Sequence, residues 1–214
     1  MTVYKKRIWA SLIILSVVFS IIIYVTGFGE KRLSKSEVYA LRGEYPICGN
    51  DSGIVDFGSD LPSTADYKER ATTFVHCKVV GDGQSYFKNV TTGQVELDEK
   101  RVANGIGRTY EFCTYTFDVI DDSEDIYQKG DEFTLTINLD LMKNLNPQFI
   151  NGKEFIIPLF IEEVQDDPSY GRTGIMYVTE EGYAISAFTG PLMARAEDPY
   201  NGMKAAAVLK ALKK

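Results

Sequence analysis

The sequence predicts a mainly β protein: a small, closed or nearly closed antiparallel barrel of the Greek-key kind with about five to six strands. An N-terminal transmembrane helix precedes it and a short C-terminal amphipathic helix follows. Three observations carry this reading. They are an uncharged apolar run near the start, a series of short alternating stretches between turn signals, and a last stretch with helical spacing.

The apolar run is Ile8 to Phe28, 21 residues without a charge. As a helix at about 1.5 Å per residue it reaches about 31 Å, the thickness of a hydrocarbon core. Thirteen of its residues are Leu, Ile, Val or Phe, and together they favour insertion by roughly 4 to 8 kcal/mol. Trp9 and Tyr24 stand near the ends, where aromatic rings settle at the headgroups, and Lys5, Lys6 and Arg7 hold the N-terminus in the cytoplasm. The rival reading is a cleaved secretory signal. Its apolar region is shorter, and "YVTGFG" offers only a poor exit at Val25 and Gly27. Both readings put the remainder outside the cytoplasm. Residues 1–7 are then a cytoplasmic basic end, 8–28 a signal-anchor, 29–62 a linker, 63–190 an extracytoplasmic β domain with an insertion at 81–107, and 191–214 a C-terminal helix.

Charge narrows the partners. The whole chain carries −7, and all three bases before residue 28 lie in the N-terminal end, so the rest balances 20 Lys and Arg against 30 Asp and Glu, or −10. Such a surface repels phosphate backbones, and no basic stripe interrupts it, which excludes a nucleic-acid partner.

Along the linker, "LSKSEVYALRGEYP" has weak helical periodicity and "CGNDSGIVDFGSDLPS" is dense in turn formers. Ser63 with Asp66 then opens a short helix to about Ala71. From there the period is two. Val75, Cys77 and Val79 share one face of "TTFVHCKVV", and Cys113, Tyr115, Phe117 and Val119 share one face of "TYEFCTYTFDVI". "DEFTLTIN", "KEFIIPLFIEE", "TGIMYVT" and "GYAISAF" continue the series. Pro158 in the fourth of these stretches implies an edge, a bulge or a corner. The insertion is expected to carry its own small hairpin across "SYFKNVTTGQVEL". At the end, Asp198 and Pro199 announce a helix whose Ala205, Val208, Leu209 and Leu212 form one stripe.

No constellation of residues spells out a catalytic site. Cys48, Cys77 and Cys113 are an odd set for an oxidising compartment. If the two cysteine-bearing strands pair with 77 opposite 113, a Cys77–Cys113 disulfide is the favoured bridge, worth about 4 kcal/mol in the chain-entropy model. Cys48 pairing with either, and buried free thiols, remain open alternatives. His76 is the one histidine and points away from Cys77, so a Cys/His nucleophile has no base. Ser85 and Lys88 match Ser-x-x-Lys, but in a hairpin rather than at a helix start. Leu61 to Ala65 resembles a sorting signal, yet no apolar segment and basic tail follow it. The acidic runs Asp121, Asp122, Glu124, Asp125 and Asp166, Asp167 lack the spacing of a calcium loop and read as solvated turns, with weak calcium binding as the alternative. No cofactor, metal site or catalytic residue is expected.

The succession "ERATTFVHCKVV", "YEFCTYTFDVIDD", "YQKGDEFTLTI", "FINGKEFIIPLF", "GIMYVTEEGYAISAF", spanning about residues 65 to 190, resembles that of a set of bacterial envelope proteins with an oligonucleotide/oligosaccharide-binding-type (OB-like) barrel on a signal or anchor helix. Their common markers are turn-and-strand features. The resemblance therefore implies fold and compartment and carries no activity.

The expected protein is a single-pass, extracytoplasmic, non-catalytic binding or accessory domain for a protein or glycan partner at the cell envelope, with Tyr86 and Phe87 in the insertion as the partner contact. The alternatives are a passive spacer and, behind it, a cell-envelope hydrolase.

Overall fold

The computed structural model describes residues 31–48, 62, 64–91, 93–105, 109–142, 145–162, 168–188 and 198–214. The elements, in chain order, are α1 (Lys35–Ala40), followed by a 3-10 turn at Leu41–Gly43, α2 (Thr64–Tyr67), β1 (Thr73–Asn89), α3 (Val95–Ala103), β2 (Thr109–Asp122), β3 (Glu132–Asn138), α4 (Leu139–Met142), β4 (Glu154–Phe160), β5 (Ser169–Tyr170), a 3-10 turn at Arg172–Gly174, β6 (Met176–Val178), β7 (Ala184–Ser186) and α5 (Ala205–Leu212). All belong to the unit Arg32–Lys214. The expected span at 8–28 lies outside the described residues. Among those described, no helix is long and apolar enough to cross a membrane.

The fold is mainly β, one antiparallel sheet ordered β3–β2–β1–β4–β6–β7 with β5 beside β4. It is not closed into a barrel, which corrects the Greek-key, OB-like expectation. The reason lies at β7. Its outer edge is taken by the approach to α5: Ala184 N–H donates to Met203 O (2.7 Å), Gly202 N–H to Ala184 O (2.7 Å), and Ala205 N–H to Gly182 O (2.9 Å). An edge already satisfied by its own chain has nothing to offer β3.

Period-two alternation sorts the core onto two faces. One face gathers Val75, Cys77, Val79, Phe117, Val119, Leu135, Phe155, Ile157 and Tyr177, covered by Phe149 and by Val38 and Tyr45 from the α1 region. Phe149 meets Phe117 and Phe155 edge to face, with ring centres 5.1 and 5.0 Å apart. The other face, Phe74, Ile156, Met176, Val178 and Ala184, packs against Tyr67 and the stripe Ala205, Val208, Leu209, Leu212 of α5. β4 is therefore apolar on both sides, and its five central residues are all buried.

Pro158 sits inside β4, neither at an edge of the sheet nor at a corner. β6 pairs with β4 through Ile156 and β5 from Leu159 onward, so Pro158 falls between the two ladders. Its carbonyl accepts from Gly171 N–H (2.9 Å), and the donor it lacks is not needed. Gly171 and Gly174 let the chain close over it: a Cβ at either would stand 2.9 Å from the proline ring and 2.6 or 2.5 Å from Tyr67.

The insertion also differs from expectation. No separate hairpin forms across residues 85–97; β1 runs on to Asn89 and α3 caps a single long β1–β2 hairpin. Gly81, the first residue of the expected insertion, and Gly83 form a bulge in a continuing strand, where the pairing steps from Val80–Thr116 to Gln84–Thr114. Gly81 takes φ +71°. A Cβ at Gly83 would stand 2.4 Å from Cys113 Sγ.

Candidate functional site

Toward its turn the long hairpin leaves the rest of the sheet behind. β4 pairs β1 only from Thr73 to Lys78, and β3 pairs β2 only from Phe112 to Asp118. Residues 84–89 and 109–114 thus form an outer ribbon, which β3 still flanks as far as Phe112 and which is two-stranded over 87–89 and 109–111. Its register, Gln84–Thr114 through Asn89–Thr109, sends Tyr86, Lys88, Tyr110 and Phe112 to one face. Ser85, Phe87, Glu111 and Thr109 take the other.

Tyr86 stacks on Phe112, ring centres 5.8 Å apart and planes within 19°. Arg101 of α3 donates from Nη2 to Tyr110 Oη (2.8 Å), so this face carries two cations, Lys88 and Arg101, among three aromatic rings. At the tip, Thr109 Oγ1 donates to Asn89 Oδ1 (2.5 Å), and Glu111 N–H donates to Asp140 Oδ2 (2.7 Å) at the start of α4. Phe87 is 74% exposed and Tyr86 41%. Val80, Val95, Leu97 and Val102 are exposed as well, which concentrates the exposed large apolar residues of the described chain on this hairpin. Folding leaves these rings in water where a buried interface would remove them from it.

The other sequence candidates separate in space. Cys77 lies opposite Val119 and Cys113 opposite Ser85; that offset along β1 puts them on the order of 20 Å or more apart, far beyond disulfide reach. The expected Cys77–Cys113 bridge is not formed, and all three cysteines are free thiols. Cys48 Sγ lies 3.5 Å from Tyr177 Oη, and Arg42 donates to Ser186 O (2.8 Å) nearby. Burial pushes the Cys48 thiol and the Tyr177 phenol up and the Arg42 guanidinium down, so the thiol stays protonated at neutral pH and is a poor nucleophile. His76 Nε2 is 2.9 Å from Glu154 Oε2, whereas Cys77 Sγ points to Phe155 O (3.7 Å). Ser85 and Lys88 occupy opposite faces of the ribbon, so Ser-x-x-Lys does not converge. Thr64, within the sorting-like stretch, is buried and donates to Asp198 Oδ2 (2.5 Å).

Of the acidic runs, Asp166 and Asp167 lie outside the described residues. Asp122 is buried, and its oxygens accept from Thr73 Oγ1 and from the N–H groups of Glu124 (2.9 Å), Ile126 (3.0 Å) and Tyr127 (2.7 Å). It holds the turn after β2. No three His, Cys, Asp or Glu side chains among the described residues are grouped to hold a metal ion.

Sequence reasoning missed a groove of about 370 Å³ between the α1 region and the β6–β7 turn. Its floor includes Tyr45 and Tyr183, and Glu37, Glu44, Glu180 and Glu181 line its rim. Lys153 pairs with Glu44 (3.0 Å), holding that carboxyl below its ordinary value, and lies 5.3 Å from the centre of the Tyr45 ring. Lys204 sits 3.7 Å over Tyr183 and donates to Glu181 O (2.6 Å). The one signal in the sequence was the acidic turn Glu180-Glu181-Gly182. Its partners from residues 37–45 are set by folding alone.

No protein-family model matches the chain, and no curated protein and no solved structure matches it either.

Proposed function

We propose that this chain is a single-pass, membrane-anchored protein of the cell envelope whose extracytoplasmic β domain is a non-catalytic binding or accessory module for a protein partner. The ribbon tip makes the contact. The observation that carries this reading is the exposure of Phe87 and Tyr86 on a projecting hairpin whose neighbours include Arg101 and Tyr110, residue types that dominate the energetics of protein interfaces. The hydrophobic length of residues 8–28 and their basic N-terminal flank support the anchor.

A photo-cross-linking amino acid at Phe87 tests the contact in intact cells, with one at Ile126, an exposed position in the turn after β2 at the other end of that strand from the tip, as the control. Adducts at 87 and none at 126 are expected. Equal, weak labelling at both positions would favour the passive spacer instead. Protease shaving of the same cells should remove the domain, and its survival beside degraded surface proteins would overturn the compartment.

A further inference from the structure

The groove and the ribbon tip have complementary chemistry. A cavity of about 370 Å³ is at the small end for a bound molecule and suits one or two side chains. Its apolar lining, Leu33, Ala40 and Leu41 beside the buried rings of Tyr45 and Tyr183, over which Lys153 and Lys204 already lie, asks for an apolar ring. On its rim Glu37 is held by Ser34 in the capping box of α1, so Glu180 and Glu181 are the carboxylates that ask for cations beside that ring. Lys153 answers Glu44 at one side, while Glu180 and Glu181 stand exposed on the lip.

The tip supplies that occupant. Tyr86 presents an exposed ring backed by Phe112, with Lys88 two residues along the same face and Arg101 held near by Tyr110. The part of the chain after Phe28 carries −10, so two copies repel in most orientations. An orientation that sets Lys88 and Arg101 against the glutamate lip reverses the sign locally and selects one arrangement from many.

We propose that the Tyr86 face of the ribbon docks into the Glu37/Glu44/Glu180/Glu181 groove of a second copy of this chain. The two surfaces are different patches, so the contact is heterologous, and repetition builds head-to-tail chains or rings rather than a closed two-fold dimer. The inference rests on the reading of the ribbon tip as a contact surface and names what it contacts.

The test is sedimentation velocity on the full chain in detergent micelles, with circular dichroism confirming that each variant is folded. Wild type should grow beyond one copy per micelle with rising concentration. K88E/R101E on the tip and E180K/E181K on the lip should each weaken association by about tenfold or more, and an equimolar mixture of the two variants should recover it, because each retains the surface the other has lost. Tyr86→Ser, which changes no charge, should weaken it as well. A wild type that stays single at about 100 μM, or variants that associate as it does, or a mixture that fails to recover, overturns the proposal. A second cross-linker at Tyr86, on the docking face itself, keeps the two readings apart. Adducts only to another polypeptide leave the ribbon reading standing and remove self-docking, whereas no adduct at all removes both.

Discussion

Thr73, the first residue of β1, donates its hydroxyl to the carboxylate of Asp122, the last residue of β2, and both are buried. Ser123 beside them bonds Phe74 in both directions: its N–H donates to Phe74 O (3.0 Å) and its Oγ accepts from Phe74 N–H (3.1 Å). The base of the long hairpin is thereby tied shut, while the carboxylate also collects three backbone N–H groups of the following turn. The rigid base is what lets the other end project.

Removing that carboxylate should loosen the hairpin base. Asp122→Ala leaves a buried hydroxyl and several backbone donors without their acceptor, and a loss of about 2 to 3 kcal/mol is expected in urea unfolding. Asp122→Asn, which keeps one acceptor oxygen, should lose less. If both variants unfold as wild type does, the turn is held by something else.

Asp198 sets a dependence on pH. Burial raises its carboxyl above the ordinary value, while Thr64 Oγ1 and Tyr200 N–H donate to it and pull the other way. The folded state therefore favours the protonated form more than the unfolded state does. Its contribution is fully present below the ordinary carboxylate value of about 4 and is lost as pH rises through the raised folded value. Asp198→Asn, always neutral, should remove this component. The difference in melting temperature, variant minus wild type, should grow as pH rises across that window and then level off, and a pH-independent difference would contradict the assignment.

Gly83 is expected to be intolerant of even one methyl group. Its Cβ would meet Cys113 Sγ at 2.4 Å and the Tyr115 ring at 2.6 Å, so Gly83→Ala should cost about 1 to 3 kcal/mol by overpacking. Pairing it with Cys113→Ala opens room at the closest contact, and the double variant should recover part of that loss. Strict additivity of the two changes in chemical denaturation would show that the contact is not what excludes the side chain.

The thiols offer a direct check on connectivity. Three free cysteines mean that thiol titration after unfolding without reductant should count three groups per chain, and reductant should leave the melting temperature unchanged. In the folded protein only Cys48, which is partly exposed, should react, and slowly, because burial raises its thiol. A count of one would restore the disulfide.

How far the sequence carried is clearest at particular residues. The alternation Cys113, Tyr115, Phe117, Val119 is a local property of the chain, readable because side chains on a strand alternate whatever the strand pairs with. The stripe Ala205, Val208, Leu209, Leu212 is equally local, since helical spacing alone puts those residues on one side. The mainly β class and the strand stretches follow from such patterns. Register does not, because it is a relation between two strands. The run of β1 on to Asn89, with Ser85, eight residues beyond Cys77, meeting Cys113, decides that Cys77 faces Val119 rather than Cys113, and nothing in either strand's own pattern announces it. Closure belongs to the same class. Residues 202–205 satisfy the edge of β7, and only packing of the whole domain shows that this edge is spent. The glutamate-rimmed groove likewise joins residues 37–45 to 179–183. Side-chain periodicity is written into one segment at a time, whereas register, closure and the groove depend on which segments meet, and that is settled by burying two apolar faces of one sheet at once.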